Sequence, residues 1–148
     1  MSTPNKLTLE ACDACGHESY KAGLGATVSC SADVYKLLPA LRAKRTEVFD
    51  VLVLNTRNHI MHHERVAQGG VNTVHVESSA IVRPAVLLRM PSVIIVHNHP
   101  SGDPIPSPED RLLTERLAQA CGLMGIRLLD HIVIAQHSYY SFSDSGAL

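Results

Sequence analysis

Apolar and polar positions follow two periods along this chain, and the switches between them mark out its elements. The stretch EVFDVLVLN, 47–55, puts Phe49, Val51 and Val53 on one face of an extended chain and Val48, Leu52 and Leu54 on the other. A strand apolar on both faces belongs in the middle of a layered structure. Thr56-Arg57-Asn58 reads as a hairpin turn into a second strand, HIMHHERVA, which Gly69-Gly70 ends. Upstream, Ser31 is placed to cap a helix through ADVYKLLPALRAK, where Val34, Leu37, Leu38 and Leu41 recur at helical spacing and Pro39 bends or shortens the run. Ser78 or Ser79 opens a helix through AIVRPAVLLRM, closed by Pro91, and SVIIVHNH is a short apolar strand. The segment SPEDRLLTERLAQACGLMG carries Ser107 as N-cap, Pro108 at the first helical position and an apolar stripe of Leu112, Leu113, Leu117, Ala120 and Leu123 or Met124, stopping near Gly122 or Gly125. IRLLDHIVIA and SYYSFS complete the chain as a buried strand and a short one.

The order helix, two strands, helix, strand, helix, two strands predicts an α/β (α+β) domain, a mixed β-sheet flanked by helices. The early hairpin makes a purely parallel sheet a poor fit. Residues 1–30, polar and rich in small residues, read as a poorly structured lead-in to a domain over 31–148. The hydrophobic fraction of 45% over 148 residues is enough for a core. Thirteen basic and fourteen acidic side chains leave a formal net charge of -1, which argues against direct, non-specific binding to DNA or an anionic membrane. Tryptophan is absent, so little aromatic material is left for stacking on bases. No apolar run reaches a membrane span, MSTPNKLTLEAC does not read as a signal peptide, and the cysteines do not look like a disulfide framework, so the expected location is cytoplasmic.

Histidine is the unusual component, with nine in the chain. In HNHPSGDPIPSPED, 97–110, His97 and His99 share one face of a strand end, and a loop stiffened by Pro100, Pro104 and Pro106 returns Asp110 toward them. Two histidines and a carboxylate leave one position open on a tetrahedral zinc, the arrangement of catalytic rather than structural sites. Capping alone would also account for Ser107 and Asp110, since Ser-Pro-Glu-Asp is a good helix start. The tripeptide His97-Asn98-His99 suggests an HNH nuclease, but Asn98 should point away from its neighbours. Cys12, Cys15, His17 and Cys30 could make a second, structural zinc site, or be free thiols on a flexible lead-in. His62, His63 and Glu64 fall on an alternating strand and read as solvent-exposed polar positions. His131 reads as a core histidine, and Cys121 as core.

The string HNHPSGDPIPSPEDRLLTERL, with GIRLLDHIVIA and SFSDSG, resembles the bacterial RadC family, and His97-x-His99 with Ser107-x-x-Asp110 resembles the metal motif of JAMM (MPN-plus) metalloproteases. The resemblance runs from about Ser31 to the C-terminus. It implies a JAMM, cytidine-deaminase-like three-layer fold and a zinc-dependent hydrolase acting on a peptide or isopeptide-like amide. It implies His97, His99 and Asp110 as zinc ligands, Ser107 as a stabiliser of the oxyanion, and Glu47 as general base, a role spacing alone could not assign over Glu64 or Glu77. His131 would then support the site from behind. Long RadC proteins carry a helix-hairpin-helix segment suited to DNA, and nothing in residues 1–30 resembles it. The alternative is a non-catalytic or DNA-repair-associated accessory module, and an exposed edge strand could pair two copies into a homodimer.

Overall fold

The computed structural model describes residues 9–11, 18–69 and 75–148. They form β1 (Leu9–Ala11), β2 (Glu18–Tyr20), α1 (Ser31–Leu37), α2 (Pro39–Arg42), β3 (Val48–Leu54), β4 (Ile60–Gln68), α3 (Ser78–Leu88), β5 (Ser92–Asn98), α4 (Pro108–Leu123), β6 (Arg127–Ile134) and β7 (Tyr139–Ser141). The strands make one mixed sheet in the order β1-β2-β4-β3-β5-β6-β7. Only β5 and β6 pair in parallel, because α4 lies between them as a crossover.

All seven residues of β3 are buried, and its two faces divide as the alternation predicts. Val48, Leu52 and Leu54 pack with Val34, Leu38 and Leu41 of the α1–α2 region. Phe49, Val51 and Val53 pack with Ile81, Val82 and Ala85 of α3 and Leu117 and Cys121 of α4. The sheet is therefore covered by helices on both sides, which makes the expected three layers. Among the described residues no helix is long and apolar enough to cross a membrane.

Local chemistry sets the boundaries. Pro39 cannot donate an amide proton, so the first helical run breaks there into α1 and α2, with Pro39 at the start of the second. The hairpin between β3 and β4 turns on Asn55, whose Oδ1 accepts from the backbone N–H of Arg57 and His59, and on Asn58 at φ 58°. One helix start differs from expectation by one residue. Cys30 rather than Ser31 precedes α1, because Asp33 reaches back to accept from the N–H groups of Ser29 and Cys30. Ser78 opens α3 as expected, directly after Glu77.

Two further expectations need correction. Residues 1–30 are not merely a loose lead-in: β1 and β2 pair, β2 extends the sheet at β4, and Tyr20 and Ala22 are buried. Nor are His63 and Glu64 solvent-exposed, since both are buried. Alternation on β4 does send them to opposite faces, but both faces are covered. His63 Nδ1 donates to the carbonyl of Ala22 at 3.1 Å, and His63 Nε2 lies 2.8 Å from Asp50 Oδ2. Arg65 donates to the same carboxylate at 2.8 and 3.2 Å and lies over the Tyr20 ring. Glu64 pairs on the other face with Arg83 of α3 and with His62.

Burial pushes the Asp50 carboxyl upward, but the hydrogen bonds and charges of His63 and Arg65 outweigh it and hold it below the usual carboxylate range. A depressed folded value stabilises the fold above the unfolded pKa of about 3.9, and that contribution is lost as pH falls below it. Asp50→Asn should thus cost about 1–3 kcal/mol at pH 7 and progressively less below pH 4. Urea unfolding at the two pH values checks this; an equal cost at both would contradict the ion-pair account.

Candidate metal centre

The site lies where β3 begins and β5 ends, beside the start of α4. His97 is the penultimate residue of β5, fully buried, with the Phe49 ring stacked on it at 4.4 Å and 10°. His99 follows one residue past β5, tied to β6 by its N–H bond to the Ile134 carbonyl at 2.8 Å. The loop then turns on Gly102, at φ +88°, where a side chain would be strained. It enters α4 through a reciprocal cap: Ser107 Oγ accepts from the Asp110 N–H at 3.1 Å, and Asp110 Oδ2 accepts from the Ser107 N–H at 2.9 Å.

Capping and convergence on the histidines coexist in one side chain. Asp110 Oδ2 is 3.2 Å from His99 Nε2, and Oδ1 is 3.5 Å from His97 Nε2. The two Nε2 atoms are 3.0 Å apart. Glu47, just ahead of β3 and one-third exposed, places Oε1 3.8 Å from His97 Nε2. Ligand atoms of Glu47, His97, His99 and Asp110 all lie within 4.8 Å of one another.

The partners behind the histidines decide what their inner nitrogens present. His99 Nδ1 faces the Asp103 carbonyl at 2.8 Å, which can only accept, so Nδ1 carries a proton and, in the neutral ring, Nε2 a lone pair. For His97 a longer chain gives the same answer. Thr114 Oγ1 donates to the Asp110 carbonyl at 2.7 Å and so accepts from His131 Nδ1 at 2.6 Å. His131 Nε2 is then the acceptor for His97 Nδ1 at 2.7 Å, and His97 Nε2 is left with its lone pair inward. Burial drives the His131 pKa well below the ordinary histidine value, so the ring is neutral as the chain requires. Phe142 stacks on it at 4.9 Å and 10°, held by its N–H bond to the His131 carbonyl.

In the neutral imidazoles two Nε2 lone pairs and two carboxylates therefore meet, and an Nε2 that is protonated instead donates to Asp110. Such a set suits a cation. Both pKa shifts at the centre report the same preference for positive charge. Burial raises the Asp110 carboxyl, yet hydrogen bonds with His97 and His99 dominate and take it far below its ordinary range. Burial lowers His99, yet Asp110 and the Asp103 carbonyl outweigh it and raise the imidazole. These residues can bind a metal ion, and each histidine has the outer partner a metal ligand requires. Among the described residues no other such cluster of three or more occurs.

Asn98 points away from the histidines, as alternation predicts, which removes the HNH nuclease arrangement. Its Oδ1 accepts from the Val48 N–H at 2.8 Å and its Nδ2 donates to the Thr46 carbonyl at 3.0 Å, so it clamps the backbone on either side of Glu47 to β5. Sequence reasoning saw its direction but not its target. It also missed Thr114 and Asp103, whose roles depend on contacts far along the chain or through a carbonyl. Asn98→Ala should cost about 1–3 kcal/mol in urea unfolding while metal content is retained; unchanged stability would contradict the clamp. Cys12, Cys15 and His17 lie outside the described residues, and Cys30 is exposed at the start of α1.

Fold and site together define an α+β protein with a His/His/Asp/Glu centre at the end of a mixed sheet. The chain belongs to the RadC-like JAB domain family, which matches residues 28–147. It is 42% identical over 120 residues to a UPF0758 protein of Methanosarcina mazei, covering 80% of this chain and 52% of that one. Identity is also 42% to a UPF0758 protein of Listeria monocytogenes, over 80% of this chain and 54% of the relative. A UPF0758 protein of Photorhabdus laumondii is 41% identical over 72% of this chain and 46% of its own length. The chain spans about half the length of the curated relatives it matches.

Proposed function

We propose that the protein is a zinc-dependent hydrolase of the JAMM type, cutting a peptide or isopeptide-like amide. The observation that carries this reading is the inward pair of imidazole lone pairs beside Asp110, with the Glu47 carboxylate on the open side. His97, His99 and Asp110 would hold the zinc, whose chemistry when bound is Lewis acidity toward a carbonyl and a water. Glu47 takes the proton of the attacking water as the C–O bond forms and delivers it to the amine nitrogen as the C–N bond breaks. Ser107 keeps its hydroxyl proton, because its oxygen serves the cap as acceptor, so it can donate to the carbonyl oxygen as negative charge develops there. The Asn98 clamp and the His131 chain keep base and ligands in register.

Incubating the zinc-loaded protein with a diverse peptide mixture, with and without chelator, tests this reading by mass spectrometry of new termini. Cleavage lost on chelation is expected. Absence of cleavage by protein that holds zinc would contradict it and favour the accessory-module alternative.

A further inference from the structure

A cleft of about 530 Å³ opens beside the metal centre, lined by Glu47, Ser107 and Asp110 at one end and by Leu112, Leu113 and Arg116 of α4 toward the other, with Phe49 and Val76 on the walls. Its size is that of a peptide or small-molecule site. Its chemistry is graded along the helix. The metal end is acidic, through Glu47, Glu109 and Asp110. Next comes an apolar stretch, where Leu112 is 66% exposed and belongs to no core cluster. The far end carries Arg116, one of whose N–H groups donates to the Val76 carbonyl at 2.9 Å. A guanidinium has five N–H donors, so that bond positions the group and leaves donor capacity toward the cleft.

We propose that this cleft selects an extended peptide with an aliphatic side chain next to the bond that is cut and a carboxylate about one to two residues further along. The spacing follows from the helix. Leu113 lies one turn beyond Asp110, about 4.5 Å along the axis, and Arg116 about 9 Å. An extended peptide advances about 3.3 Å per residue. A chain laid along α4 from the metal centre therefore brings its first side chain against Leu112, Leu113 and Val76, and its second or third residue to Arg116. Glu47 and Glu109 repel an acidic group placed nearer the centre, so the charge gradient also sets the direction in which the peptide lies. The carboxylate can be an Asp or Glu side chain or the peptide's own C-terminus. The inference rests on the hydrolase reading of the same site.

The test is binding to zinc-loaded Glu47→Gln protein, so that turnover does not enter, using hexapeptide pools with Leu or Ser at one position and Glu or Gln one or two residues further along. Parallel pools have free or amidated C-termini, which separates the side-chain source of the carboxylate from the terminal one. Leu/Glu pools should bind about tenfold more tightly than Leu/Gln pools. Arg116→Gln, which keeps a donor for the Val76 carbonyl, should bring that ratio toward one, and Leu112→Arg should erase the preference for Leu over Ser. Equal binding by all pools, or preferences unchanged in both variants, overturns the inference. Selective binding without cleavage by wild type would instead overturn the hydrolase reading alone, and cleavage without these preferences would overturn the cleft inference alone.

Discussion

Replacing Glu47 by glutamine is expected to lower turnover of a cleaved peptide about 10²–10⁴-fold while metal content stays at the wild-type level. The substitution keeps the size of the side chain and removes its ability to accept a proton. His97, His99 and Asp110 are untouched, and Asn98 still fixes the backbone on both sides of residue 47. Parallel metal analysis and initial rates check both halves of the expectation. A variant of unchanged rate would show that the base is elsewhere. One that loses metal together with activity would make Glu47 a ligand, which its 3.8 Å distance from His97 Nε2 leaves sterically open.

Asp110→Ala is expected to have two separable effects, because one carboxylate serves two purposes. Loss of a ligand should lower metal content. Loss of the acceptor for the Ser107 N–H should cost about 0.5–2 kcal/mol of stability, even with chelator present. Ser107→Ala isolates the second effect: it removes the other half of the cap, should cost a similar amount and should leave metal content at the wild-type level. If Asp110→Ala retains full metal while losing only the stability of the cap, the carboxylate is a helix cap and nothing more.

That ambiguity was visible in the sequence, where Ser-Pro-Glu-Asp reads equally as a cap and as the return of a ligand. No spacing argument could show that both hold at once, since each depends on where the two oxygens of Asp110 point. The helices, the strands β3 to β7 and the two-sided burial of Val48–Leu54 were legible, because each rests on a local period. What escaped were features made by residues distant in sequence. His63 and Glu64 looked exposed because alternation gives a strand two faces but does not say what covers each. Here Ala22 and Asp50 meet His63, and Arg83 meets Glu64. The buried part of the lead-in was hidden for the same reason, as Tyr20 and Ala22 acquire their role only against β4 and the core. Glu47 could be picked out by family resemblance but not by pattern, for a carboxylate at a strand's start is ordinary until the neighbouring strand brings His97 beside it.

The central claim is that His97, His99 and Asp110 hold a metal ion. The most direct measurement is elemental analysis of purified protein after zinc loading, comparing the parent with His97→Ala/His99→Ala, both carrying Cys12→Ser/Cys15→Ser to remove the other candidate ligands. The account predicts about one zinc per chain in the parent and a small fraction of that in the histidine variant, with the fold of each confirmed by cooperative urea unfolding. Equal zinc in both proteins, or none in the parent, would contradict it.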